Sequence, residues 1–141
     1  MEKRPTVGGA AVVALVLALM IVPAALAAKG GKPAGGGSTA SVNLVVLGST
    51  DGQPHWGQQV TFTVSTTATD RPFVGLQCYQ GGARVYSMSA GFFADYPFTK
   101  TYTLSSSYWT SGAADCTATL YYFTSNGRER TLKTMSFRVY A

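Results

Sequence analysis

The residues able to do chemistry are few and scattered. The chain of 141 residues holds one histidine, two cysteines and six carboxylates. His55 sits in Gln53-Pro54-His55-Trp56-Gly57, a segment rich in turn formers. A histidine works as a general base only when a partner orients it and a proton lies within reach. The sequence offers no GxSxG elbow, no HExxH motif and no Cys–His pair with a free thiol. His55 therefore reads as a loop residue without a catalytic role. Asp51 precedes Gly52 and suits a turn, where its carboxylate bonds backbone N–H groups nearby. Asp115 stands directly before Cys116. No DxDxDG loop is present for calcium, and the carboxylates are not paired as glycoside hydrolysis requires. These readings lead to no catalytic residue, no metal site and no cofactor.

Composition turns the question from catalysis to location. Residues 1–27 read as an export signal. Lys3 and Arg4 supply the positive start, an apolar run extends from Ala10 through Val22, and Pro23 ends it. Ala25-Leu26-Ala27 fits the small-x-small rule, with cutting before Ala28. Two rival readings stand beside this one, a retained membrane anchor and a buried helix. From Val7 to Ala28 the chain carries no charge and is long enough to span a bilayer. Residues 28–41, AKGGKPAGGGSTAS, hold five glycines and no large apolar side chain. Such a segment cannot bury enough surface to offset chain entropy, so it reads as a flexible linker. It serves as a spacer, or places Lys29 and Lys32 against an anionic surface. The formal charge of the whole chain is +5, but from Ser41 onward seven basic residues face five acidic ones. No dense basic run remains, so nucleic acid is not an expected partner.

Residues 42–141 read as strands. Short alternating segments recur between turn residues, and no window shows a helical period. The segments are Val42–Leu47, Gln59–Thr67, Phe73–Gln80, Arg84–Met88, Phe98–Leu104, Asp115–Phe123 and Thr131–Tyr140. In the second, Val60, Phe62 and Val64 share a face. In the fifth, Thr99, Thr101 and Thr103 face out. In the seventh, Met135, Phe137 and Val139 share a face. Gly81-Gly82 and Asn126-Gly127 mark hairpin turns. Of the 101 residues from Ser41, 26 are Ser or Thr, which suits solvent-facing strand positions. The expected fold is all-β, a seven-stranded antiparallel sandwich of two packed sheets.

The strand count, the QVTFTVSTTA second strand and the ADCTATLYYF sixth strand resemble an immunoglobulin-like or fibronectin type III-like sandwich. The resemblance is architectural and covers residues 42–141. The antibody pattern itself is not met, since the second strand lacks a cysteine and the third carries Cys78 but no tryptophan. In a sandwich of this type the third and sixth strands are antiparallel neighbours. Two cysteines in an exported chain are expected to pair, and pairing Cys78 with Cys116 implies a register. Leu76 then faces Ala118 and Val74 faces Leu120 on the core side, while Gln77 faces Thr117 and Gly75 faces Thr119 outside. The competing role for the cysteines, redox or metal chemistry, has no CxxC spacing behind it.

Two aromatic features are candidate binding surfaces. The register places Tyr79, Tyr121, Phe123, Arg138 and Tyr140 on the outer face of the third, sixth and seventh strands. Tyrosine and arginine among small hydroxyls suit recognition, and the same rings also suit cross-strand stabilisation of the sheet. The second feature is Phe92, Phe93 and Tyr96 in the connection before the fifth strand. It forms either a capping minicore or an exposed patch. Trp109 is expected to pack into the core, and Trp56 to plug one end of the sandwich. The expected function is a secreted or surface-tethered, non-catalytic binding or adhesion module for an extracellular protein or glycan. The alternative is a structural envelope component. A monomer is expected, with membrane contact only if the N-terminal segment is retained.

Overall fold

The computed structural model describes residues 37–141. The expectations for the export segment and for residues 28–36 lie outside them. Seven strands follow in order: β1 (Ala40–Val46), β2 (Gln59–Thr66), β3 (Phe73–Gln80), β4 (Ala83–Gly91), β5 (Tyr102–Thr103), β6 (Ala114–Phe123) and β7 (Glu129–Val139). They form a three-stranded sheet of order β1-β2-β5 and a four-stranded sheet of order β4-β3-β6-β7. All neighbours are antiparallel.

Alternation decides which side of each strand is buried, because successive side chains point to opposite faces. Across β1 and β2 the pairs Val42–Val64, Leu44–Phe62 and Val46–Val60 fall on the inner face. Ser41–Ser65 and Asn43–Thr63 fall on the outer one. Between the sheets Val60, Leu76, Tyr102, Leu104, Trp109, Leu120 and Val139 are fully buried. Tyr102 spans this core: its hydroxyl donates 2.7 Å to the Val74 carbonyl of the other sheet. Burial pushes that phenol well above its usual pKa, so the bond keeps its proton. No buried side-chain nitrogen or oxygen among the described residues lacks a partner.

The two cysteines form a disulfide and stand directly opposite each other on β3 and β6, with Cα atoms 4.0 Å apart. The ladder has the register that this pairing implies: Leu76 faces Ala118, Val74 faces Leu120, Gln77 faces Thr117 and Gly75 faces Thr119. Gly81 and Gly82 both take positive φ, 53° and 84°. That is the requirement of a two-residue type I′ turn between β3 and β4.

Several boundaries differ from the sequence reading. β1 begins at Ala40, inside the expected linker, because Ala40 pairs with Thr66 and Thr39 N–H donates to Thr67 Oγ1 at 3.0 Å. β4 runs on to Gly91, paired with Phe73. The fifth strand shrinks from Phe98–Leu104 to Tyr102–Thr103. Its threonines alternate like a strand, but the Thr99 hydroxyl serves a local bond and β2 takes the Lys100 carbonyl through a side chain. Thr99 Oγ1 accepts from Thr101 N–H at 3.2 Å, and the Lys100 carbonyl is taken by Thr61 Oγ1 at 2.8 Å. Ser and Thr side chains that bond nearby backbone compete with sheet ladders.

Candidate functional site

The outer face of the four-stranded sheet carries the candidate residues. Parity along β3 sends Phe73, Gly75, Gln77 and Tyr79 outward. Their partners on β6 are Tyr121, Thr119, Thr117 and Asp115. The five residues expected to share one surface divide between its two ends.

Tyr79, Arg138 and Tyr140 lie toward the disulfide end. Tyr79 donates from its hydroxyl to Gln77 Oε1 at 2.9 Å. Arg138 pairs with Asp115 at 2.9 Å. Tyr140 lies past the end of β7 and forms a parallel bridge with His55, their rings 5.8 Å apart. Tyr121 and Phe123 lie at the opposite end. Tyr121 is not an open surface ring: it is 9% exposed, stacked on Phe73 at 5.6 Å with an interplanar angle of 23°. Phe123 meets both rings edge-on at 5.6 and 5.5 Å and stays half exposed.

The second expected patch joins the first at Phe73. Phe93 and Tyr96 reach it from the 92–98 connection, with centroids 5.3 and 5.8 Å away. Tyr96 in turn meets Phe98 at 5.2 Å. Six rings thus run without a break from Phe98 to Phe123. Gly91 makes room for them, since a Cβ there would fall 2.6 Å from both Phe93 and Tyr96. Arg71 caps the cluster, its guanidinium 4.4 Å above the Phe93 ring and 2.9 Å from Asp95. Arg71 holds the Asp95 carboxyl below its usual pKa. Phe92 stands apart, half-buried against the main core. Phe98 closes the Phe92–Phe98 segment that the sequence marks, whereas Phe73 is not among the residues expected there. Phe73 shares strand parity with Gly75 and Tyr79, which is the signal that identifies it.

Beside the ring cluster lies a groove of about 180 Å³ lined by Gly75, Gln77, Ser89, Thr117, Thr119, Tyr121 and Glu129. Gly75 keeps it open, since a Cβ there would stand 3.2 Å from Ser89 Oγ and 3.4 Å from Tyr121. The lining offers hydroxyls, one amide and one carboxylate.

His55 occupies a corner near the disulfide end. Its Nε2 lies 2.9 Å from Asp51 Oδ2 and its Nδ1 lies 3.2 Å from the Ala141 oxygen. Hydrogen bonding to Asp51 raises the imidazole pKa, and bonding to His55 pulls the Asp51 carboxyl far down. Ser49 donates to Asp51 at 2.7 Å rather than to His55. The order is serine–carboxylate–imidazole, whereas nucleophile activation places the imidazole next to the serine. Trp56 does not plug the sandwich: it is 39% exposed and bonds through Nε1 to the carbonyl of buried Trp109 at 3.0 Å. Among the described residues no three His, Cys, Asp or Glu side chains converge to hold a metal.

No family model, curated protein or solved structure matches this chain.

Proposed function

We propose that this chain is an exported, non-catalytic recognition module that binds an extracellular protein or glycan at the aromatic end of its four-stranded sheet. The carrying observation is the unbroken run of six rings whose two termini, Phe98 and Phe123, are 67% and 50% exposed. Ring clusters cost free energy when left in water, and contiguous exposed apolar surface rimmed by polar groups marks interaction sites. The groove at Gly75 adjoins this surface and supplies hydroxyl, amide and carboxylate partners. The three-plus-four strand order supports an immunoglobulin-like or fibronectin type III-like build. The disulfide and the N-terminal sequence support export. The intact mass of the native product reports directly whether residues 1–27 have been removed.

Phe98→Ala and Phe123→Ala test the reading. The purified protein and both variants are measured against wall polymers, common glycans and cell-surface protein fractions. Each variant is expected to lose roughly tenfold or more in affinity, the scale of an interface hot spot, with the fold retained and, for Phe123→Ala, a melting temperature only a few degrees lower from its lost contacts with Phe73 and Tyr121. Full retention of binding by both variants sinks the proposal. Failure of the parent protein to bind any of these favours a structural envelope component.

A further inference from the structure

A second cavity lies along β4 toward the disulfide end, where Tyr86 pairs with Cys78. It is a cleft of about 620 Å³ between β4 residues Arg84–Met88 and the segment Ser106–Tyr108. The shortened β5 explains it. With only Tyr102 and Thr103 in that strand, the three-stranded sheet gives β4 no opposing strand, and β3 is its one substantial strand neighbour. Val85, Tyr86 and Met88 make an apolar floor. Tyr86 donates to Met88 Sδ at 3.3 Å, and burial pushes its pKa up to about 12. Tyr108 stands at the mouth with 83% of its surface in water.

The cleft runs along a free strand edge. β4 is the terminal strand of its sheet. Phe92 N–H bonds to the Pro72 carbonyl at 2.8 Å, which sets the alternation of the β3–β4 ladder. Ala90, Met88 and Tyr86 therefore direct their main-chain groups to β3, and Ser89 and Ser87 direct theirs outward. The short Cys78–Cys116 separation fits the same phase, since Cys78 then bonds toward β4 and not toward β6. The other edge of this sheet is defended: β7 carries exposed Arg130, Lys133 and Arg138 and a bulge at Leu132, which falls between the partners of Leu120 and Tyr121. Charges and bulges are the usual protection against strand pairing. On β4 the bulge falls between Arg84 and Tyr86, and Ser106 Oγ caps the Val85 carbonyl. From Ser87 to Gly91 the edge carries only small neutral residues at its outward-bonding positions. Arg84 is the one charged residue lining the cleft.

We propose that the β4 edge receives an extended, carboxylate-bearing peptide strand, which bonds to Ser87 and Ser89, sets its carboxylate near Arg84 and places an apolar side chain in the cleft. Strand addition draws affinity from main-chain bonds and specificity from pockets for alternate side chains. An alternating row of donors and acceptors is the complement of a strand, and the lone Arg84 selects an acid among strands. This edge meets the aromatic end only at Ser89, whose side chain lines the groove there, while the peptide bonds to main chain, and the Ser87→Pro and Arg84→Glu variants below leave the rings and the groove lining untouched.

The test uses the full chain, labelled with nitrogen-15, and capped peptides Thr-X-Glu-X-Thr, where X is Val, Leu, Phe or Tyr. Lysine counterparts replace Glu. Binding is expected to shift the Ser87 and Ser89 amides and slow their exchange. It is also expected to change Trp109 fluorescence, since Tyr86 lies 6.3 Å from that ring. Glu peptides should bind roughly three- to fivefold tighter than Lys peptides, the scale of one exposed ion pair. Ser87→Pro removes an outward N–H, a substitution that edge strands tolerate, and should abolish binding with the melting temperature kept. Arg84→Glu should reverse the charge preference, and it serves as the deciding variant should Ser87→Pro not fold. The proposal is overturned if no peptide moves Ser87 or Ser89, if Ser87→Pro binds as before, or if Arg84→Glu leaves the preference unchanged. Protection of the same amides that grows with protein concentration alone assigns the edge to a second copy, which also overturns it.

Discussion

The same two strands, β3 and β6, are closed in opposite ways at their two ends. At one end Cys78 and Cys116 are joined covalently and are almost wholly buried. At the other, five rungs along the same ladder, Phe73 and Tyr121 hold each other by ring stacking. The first closure acts on the unfolded chain by limiting its conformations. The second acts only in the folded state, through dispersion and buried area, and leaves Phe123 in water. An end fixed by a bond has no need of further aromatic surface. An end fixed by rings necessarily carries apolar surface at its margin, and that margin is where the recognition surface is proposed.

The sharpest break in this comparison is removal of the bond. Replacing both cysteines with alanine frees a loop with a sequence separation of 38 and is expected to cost about 4 kcal/mol in the chain-entropy model. Urea titration reads it as a lower midpoint, with hydrogen exchange quickening at both ends. Phe73→Ala should cost less, about 2–3 kcal/mol, below the range for fully buried rings, because Phe73 is only half-buried. Its exchange signature should be local to Tyr121, Phe123 and the 92–98 connection, sparing Cys116. Equal loss of protection at the two ends would show that they do not act separately. Gly91→Ala is smaller again, about 1–2 kcal/mol of overpacking, as the new Cβ meets Phe93 and Tyr96. Its near-ultraviolet dichroism should change more than its midpoint.

The smallest effect concerns His55. Both of its ring nitrogens face acceptor oxygens, an arrangement satisfied in full only by the doubly protonated ring. Its pKa is raised from 6.5, so its contribution is complete below that value and fades as pH rises through the raised one. Asp51 is depressed from 3.8, so its contribution is present above that value and lost in acid. The corner is therefore firmest between about pH 4 and 6.5. The readout is the Tyr140 amide, which donates to the Pro54 carbonyl at 2.9 Å. Its protection factor should fall on the alkaline side, and His55→Ala should flatten the profile. A parent profile as flat as the variant's would detach Tyr140 from His55 control.

Much of this frame was legible in the sequence because β-strand parity is rigid. Once Cys78 faces Cys116, every other pair along β3 and β6 follows, and polarity agrees on both faces. Trp109 was legible as a core residue and is fully buried. Parity does not report how far along a sheet two residues stand, so it assigns Tyr121 and Tyr140 to one surface although they lie at opposite ends. It also cannot report what covers an outward ring. Phe73 covers Tyr121, and the rings that complete the cluster arrive from a connection with no period of its own. The fifth strand falls short for a different reason: Thr99 and Thr101 alternate correctly, yet Thr99 Oγ1 takes the Thr101 N–H and Thr61 Oγ1 takes the Lys100 carbonyl, so these groups do not join a ladder.

The in-sheet disulfide has a mechanical corollary. Under tension between residue 37 and Ala141, β1 can peel from β2 and release its length rung by rung. The segment between Cys78 and Cys116 cannot follow, because the load passes through sulfur. With a separation of 38 residues, about 130 Å of contour is withheld at some 3.4 Å per residue. A pulled molecule should therefore extend to a shorter plateau when oxidised than when reduced, with β4 and β5 lying within the shielded loop.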